Sequence, residues 1–390
     1  MAPARLARMQ GAVSARLVAV ADIGPDRDDP RECFALVRDE IRKADIAFCQ
    51  LEVNLTERGV RLPQVRHTHR AKASTAMALR DAGFTVVSFS GNHCMDWGRD
   101  GFFDTIDNLK GAGLQVAGVG ADIKEARTPV IEEVNGVRVA FLAYNSILPA
   151  DYWAEPDRPG CAPMRAWTIY EQIEPDQPGT PCRVHTHANR ADVAAMVADI
   201  KAAREVADVV VMSIHWGIHF IPTLLADYQA EVAHAAIDAG VDLILGHHAH
   251  ILKGIEVYRG KPIFYSMGNF AIDLRMTPEH AQGKGFREIQ ALSPGWIPDF
   301  DSLYNFPPDS RMTLVVTAEA TSQGLTNVGF LPAFINRDAQ PEILKADDAR
   351  FDQVVDYLRW ATQAAGLTAQ FHTRGDTVLI DLSETSSCNG

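Results

Sequence analysis

At 390 residues, 47% of them hydrophobic and 22% charged, the chain has the composition of a globular protein with one sizeable core. Its formal net charge of −13 disfavours nucleic acid or an anionic membrane surface as a partner. The six cysteines form no CxxC pair, which points to reduced thiols of a cytoplasmic protein and to no zinc cage. Neither the apolar core of a signal peptide nor the roughly 18 apolar residues of a membrane span occurs, so a soluble chain without a membrane anchor is expected. Its oligomeric state is not legible.

In chain order, apolar runs at 17–22, 46–51, 84–90, 114–119, 209–214 and 241–245 predict buried strands, with amphipathic helices between most of them. Helices are expected to stop at Gly83, Gly113 and Gly240, where glycine suits the left-handed turn and a strand follows at once. That is α/β layering. Asn135-Gly136 and Arg259-Gly260 predict hairpins joining 130–134 to 137–144 and 255–258 to 262–266, so the sheets should be mixed. Segments 149–181 and 282–310, rich in Pro and Gly, read as long loops able to wall a pocket. A strand at 312–316, a helix near 347–364 and a strand at 377–382 read as peripheral. The expected organisation is one domain over 15–335 that includes both loops, with 336–390 as a C-terminal extension packed on it.

Polar residues fall where strands end. Asp22, Glu52, Asn92-His93, His215 and the run Gly246-His247-His248-Ala249-His250 each close an apolar run. In α/β sheets that end binds ligands, because its loops vary over a rigid base. Carboxylate and imidazole together suit Zn, Mn or Fe, and a bridging carboxylate can hold two ions about 3.5–4 Å apart. Asn92 would add a neutral amide oxygen. The spacing His248-x-His250 fits an extended segment with both rings on one face. His67, His69 and Arg70, in "VRHTHR", read either as a grip on a substrate anion or as a solvated loop. Cys94 reads as a small buried side chain before a nucleophile, and Asp96 either orients His93 or caps the helix beginning near Arg99.

Asn92-His93-x-x-Asp96-x-Gly98, His215-Trp216-Gly217, Gly246-His247-His248-x-His250 and Tyr265-Ser266-x-Gly268-Asn269-Phe270, in this order, resemble the CapA/PgsA (poly-γ-glutamate capsule synthesis) family of the calcineurin-like metallophosphoesterase superfamily. The resemblance covers about residues 17–273. It implies a two-sheet mixed α/β sandwich flanked by helices, with one or two divalent transition ions (Mn, Zn or Fe). It would place Asp22, Glu52 and His250 around one ion and Glu52, Asn92, His215 and His248 around the other, with Glu52 as the bridge. His93 would face the leaving group as the acid, and Asn269 would form a polar floor under the substrate. One departure stands out: the superfamily usually has Asp-x-His where this chain reads Asp22-Ile23-Gly24, which weakens the first ion's site.

Three functions compete. A metal-dependent hydrolase acting on a phosphoester or an amide-type bond of a small-molecule or peptide substrate uses every motif residue, with His93, Glu52, His215 and His248 as its catalytic set. A peptide epimerase without metal would use the same histidines and Glu52 as acid and base. A non-enzymatic role in polyglutamate capsule assembly ranks last.

Overall fold

The computed structural model describes residues 13–63, 68 and 70–383. Two large sheets form its frame. The first runs, in spatial order, Phe371–Arg374, Thr377–Ile380, Gly324–Ile335, Met312–Thr321, Ser14–Gly24, Ile46–Leu51, Val86–Ser88, Gln115–Ala117, with Asn269–Ile272 also on Ser14–Gly24 and Pro341–Ile343 also on Gly324–Ile335. The second runs Ile255–Tyr258, Lys261–Phe264, Leu243–His247, Val209–His215, Val137–Asn145, Val130–Val134. Both sheets mix parallel and antiparallel pairs, as the hairpin signals predict.

Alternation along each strand decides what lies between the sheets. In Val137–Asn145 the side chains of Val137, Val139 and Phe141 join the core shared with the first sheet, whereas Ala140, Leu142 and Tyr144 join a second cluster under the helices Arg190–Val206 and Asp227–Ala239. Phe48 and Phe141 stack across the inner layer with ring centroids 5.7 Å apart. The same period carries Val209 and Val211 toward His215, and Leu243 and Leu245 toward His247, on the inner face. The apolar core therefore gives way to polar groups at the carboxyl ends of these strands. Helices also cover the first sheet, with Gly98–Gly111 against Gln115–Ala117 and Ala349–Ala364 against Gly324–Ile335. The three expected helix stops, Gly83, Gly113 and Gly240, all have left-handed backbone.

Three readings need correction. Met312–Thr321 is not peripheral: it pairs with Ser14–Gly24 from Ser14 to Val20 at the centre of the first sheet and turns into Gly324–Ile335. Thr317, Glu319 and Thr321 interrupt the apolar run and so hide the strand's length. Segment 149–181 contains the strand Ala166–Glu171, which pairs with Arg183–Ala188, and segment 282–310 contains the helix Lys284–Gln290. Trp167, Ile169 and Tyr170 are all exposed on that ribbon, so no alternation marked it as a strand. At the far end of the chain, Thr377–Ile380 extends the first sheet, and Phe351, Val354 and Leu358 of the last helix belong to the main core.

Beyond Val20, the central strand exchanges its neighbour: Asp22–Gly24 pair in parallel with Asn269–Ile272, and the register slips around Asp22. Such irregularities re-aim a side chain. Just past this point the buried guanidinium of Arg27 pairs with buried Asp273, which also accepts the Asp26 N–H at 2.8 Å and so fixes the loop after the strand.

Candidate functional site

Three donor groups meet at one ring nitrogen. His215 Nε2 lies 3.0 Å from Asn92 Oδ1, 3.1 Å from Glu52 Oε1 and 3.2 Å from His248 Nδ1. An imidazole nitrogen shares at most one proton, so the other lone pairs face one another uncompensated. Ligands around an ion with bonds of about 2.1 Å lie roughly 3 Å apart, which is the spacing found here. Asp22, Glu52 and His215, all buried, each offer one ligand atom within 4.8 Å of the others. Glu52 Oε1 and His215 Nδ1 are buried without a hydrogen-bond partner among the described residues, since the approach of Glu52 to His215 lacks hydrogen-bond geometry.

Asp22 is held from the second sheet. Its Oδ1 lies 2.8 Å from His247 Nδ1, and its Oδ2 accepts the His248 backbone N–H at 3.2 Å and lies 3.7 Å from His250 Nδ1. His250 Nδ1 is 2.7 Å from Asn269 Oδ1, and Asn269 Nδ2 donates to Tyr304 Oη at 2.8 Å. Because Asn269 takes the Nδ1 proton, the lone pair of His250 is left on Nε2, which faces Glu52 Oε2 at 3.7 Å. Asn269 is thus corrected: it is fully buried, both ends of its amide are engaged, and it orients His250 where a substrate contact was expected.

The extended geometry expected for His248-x-His250 is also overturned. The strand stops at His247, and His248 and His250 have φ of +85° and +56°. Left-handed backbone at a residue other than glycine costs about 1–3 kcal/mol and persists where the surroundings over-determine it. Inside the strand, a Cβ at Gly246 would meet Tyr265 O at 2.4 Å, so only glycine fits there between the strands.

Burial pushes the Glu52 carboxyl well above the usual range, and Asp22 and Asp96 add to it. Burial pushes His215 and His248 well down, helped by neighbouring imidazoles, and lowers His250 against the opposing pull of Asp22. Three rings held neutral beside Asp22 and Glu52 leave the site short of positive charge.

His93 stands at the rim, its side chain one-quarter exposed, with Nδ1 2.6 Å from Asp96 Oδ2. Of the two readings for Asp96 the orienting one holds, because the helix Gly98–Gly111 has Trp97 at its N-cap and no side-chain cap. Cys94 is a buried thiol, 3.2 Å from Cys161 Sγ, and burial raises its pKa well above the usual value. Arg70 is exposed, with its guanidinium 4.3 Å over the Trp97 ring, and it lines a cavity of about 430 Å³ with Asp26, Asp28, Lys72 and Arg275. His67 and His69 lie outside the described residues. Gly24, the departure from the Asp-x-His pattern, is not left-handed, and a Cβ there would meet only Ile272, at 3.4 Å.

The sequence reading gives no role of their own to two residues of the site. His247 continues the inward face of Leu243 and Leu245, a signal present in the alternation and masked by the histidines after it. His219 sits in the loop after Trp216 with its ring 4.0 Å from that of His248 and carried no motif to mark it.

The chain is 35% identical over 203 residues to the "Capsule biosynthesis protein CapA" of Bacillus anthracis, a match covering 52% of this chain and 44% of that one. It is 32% identical over 236 residues to a "Probable polyglutamine synthesis accessory protein" of Mycobacterium tuberculosis, covering 59% and 56%. The chain thus spans about half the length of these curated relatives. Among solved structures it is similar to the calcineurin-like phosphoesterase YfkN from Bacillus subtilis, with 14% identity, a TM-score of 0.37 and coverage of 91% of this chain and 98% of that one. No helix among the described residues is long and apolar enough to cross a membrane. The family described as "Bacterial capsule synthesis protein PGA_cap" matches residues 9–274, well over half the chain, and the protein belongs to that family.

Proposed function

We propose that this protein is a divalent-metal-dependent hydrolase acting on a phosphoester or amide-type bond. The observation that carries the reading is the convergence of Glu52, Asn92 and His248 on His215 Nε2, a set of lone pairs that a cation reconciles. The donor set of carboxylate, amide oxygen and neutral imidazole suits Mn, Zn or Fe. Asp22, Glu52 and His250 would hold one ion, and Glu52, Asn92, His215 and His248 a second. When bound, such an ion supplies Lewis acidity to the electrophile and to water. His93, with Nδ1 fixed by Asp96, presents Nε2 to deliver a proton to the leaving group. The names of the relatives, capsule biosynthesis and polyglutamine synthesis, favour an amide-linked polymer of amino acids as the substrate.

Activity on bis(p-nitrophenyl) phosphate, p-nitrophenyl phosphate and γ-glutamyl-p-nitroanilide, with Mn or Zn and with chelator, tests this. Cleavage of at least one, lost on chelation, is expected; cleavage that survives chelation would contradict metal dependence.

Metal affinity should rise with pH. Glu52 binds an ion only as the carboxylate, yet its folded environment favours the acid, so uptake must expel a proton. Below the raised pKa of Glu52 the affinity is expected to increase by about tenfold per pH unit. His215 and His248, already neutral, should impose no loss near pH 6.5. Calorimetry in buffers of different ionisation enthalpy reads the released proton; heats independent of the buffer would refute the assignment.

Asn269→Ala frees the His250 ring and is expected to weaken ion binding about 10–100-fold, the usual cost of losing such an orienting contact. Equal affinity in a titration would reduce Asn269 to a packing role.

A further inference from the structure

His219 belongs to neither ligand set above, and its surroundings are built. Its loop joins Val209–His215 to Asp227–Ala239 and turns twice in left-handed backbone. At Gly217 φ is +86° and a Cβ would meet the Gln229 amide at 2.7 Å; at Phe220 φ is +55°. The Phe220 N–H donates to Ala249 O at 3.1 Å, which ties the loop to the turn bearing His248 and His250. At its other end the buried Lys253 ammonium donates to Leu224 O at 2.7 Å. The His219 ring consequently lies between the metal cluster and an apolar wall: 4.0 Å from the His248 ring, 5.4 Å from that of His250, and against Phe220, which contacts Trp296.

Packing alone does not account for a histidine at this place. Its Nε2 is buried and has no hydrogen-bond partner among the described residues. A phenyl ring would stack equally well and leave no polar atom unpaired. Neutral imidazole beside two other imidazoles and a carboxylate pair is the ligand chemistry of a borderline divalent ion.

We propose that His219 Nε2 is a further ligand to the ion that Glu52, Asn92, His215 and His248 would hold, the His248 ring being the nearer at 4.0 Å against 5.4 Å for His250. The inference rests on the metal reading above. It adds an imidazole from the loop after Val209–His215 and makes the 216–226 loop part of the metal centre.

His219→Phe keeps a ring against His248 and His250 and removes only the nitrogen. Calorimetric titration with Zn²⁺ or Mn²⁺, together with the visible absorption of the Co²⁺ form, reads the effect on the ion directly. Affinity is expected to fall by about tenfold or more, with a changed Co²⁺ spectrum, while the melting temperature of the chelated protein stays at the parent's value. Should the variant not fold, ¹⁵N-histidine spectra of the parent decide, with the His219 signal assigned through His219→Gln: its Nε2 resonance should move on Zn²⁺ addition. Unchanged affinity and spectrum in His219→Phe, or a resonance that ignores Zn²⁺, would overturn the proposal while leaving the metal site standing. A parent that takes up no ion would overturn both.

Discussion

Glu52→Gln is expected to lower the affinity for divalent ions by at least about 10²-fold while leaving the metal-free fold intact. The two oxygens of Glu52 face both halves of the cluster, with Oε1 3.1 Å from His215 and Oε2 3.7 Å from His250. Glutamine keeps the shape and one acceptor but brings no charge, so both ion positions lose their shared anion. The same substitution has a second, opposite signature. The folded-state pKa of Glu52 is raised, so its favourable contribution is complete below the unfolded carboxyl value and is lost as pH rises through the folded one. Above that point the chelated parent carries a buried charge beside Asp22. Glutamine has no proton to lose, so the chelated variant should melt above the parent, with the gap widening as pH rises from the ordinary carboxyl value of 4.5 toward the raised folded one. Thermal melts in chelator across that range, with and without added Zn²⁺, read both effects. Parent-like affinity, or a chelated variant less stable than the parent at every pH, would remove Glu52 from the centre of the account.

His93→Ala is expected to cut turnover of a cleaved substrate by about 10²–10⁴-fold, the usual contribution of a positioned acid. The ring is one-quarter exposed and outside the apolar clusters, so the melting temperature should hardly change. Ion uptake should also persist, because none of the proposed ligands depends on His93 for its orientation. Asp96→Asn tests the arrangement behind it. Asn can present either its oxygen or its NH₂ to Nδ1, so the tautomer with the proton on Nδ1 is no longer enforced, and turnover should fall with a changed pH profile. Near-normal turnover in His93→Ala would leave the mechanism without its proton donor.

The strands that carry the site were legible because they are buried on both faces and read as unbroken apolar runs: Ile46–Leu51 was bounded to the residue. Glu52 and His215 follow from the same runs, since the polar residue marks where the apolar strand gives out, whereas Asp22, expected at a strand end, lies inside Ser14–Gly24 with buried Ile23 beyond it. Other parts depended on tertiary context. Nothing local says that Asp22 leaves the register of Met312–Thr321 for that of Asn269–Ile272, and it is this exchange that sets Asn269 behind His250. His248 and His250 looked extended because spacing carries no sign of φ. His219 was invisible because a loop histidine acquires meaning only from what packs on it, here the His248 ring. Arg183–Ala188 and its partner strand, exposed on most of their surface, lack the half-buried alternation on which strand prediction rests.

Whether the cluster binds a metal is decided most directly by elemental analysis of the full chain purified without chelator, repeated after incubation with Mn²⁺ or Zn²⁺ and gel filtration, with Glu52→Gln measured alongside. The account predicts about one to two equivalents of a transition ion in the parent and a small fraction of that in the variant. A parent holding under about a tenth of an equivalent even after incubation would contradict it, and proton transfer by the bare histidines and Glu52 would then be the better reading of the same geometry.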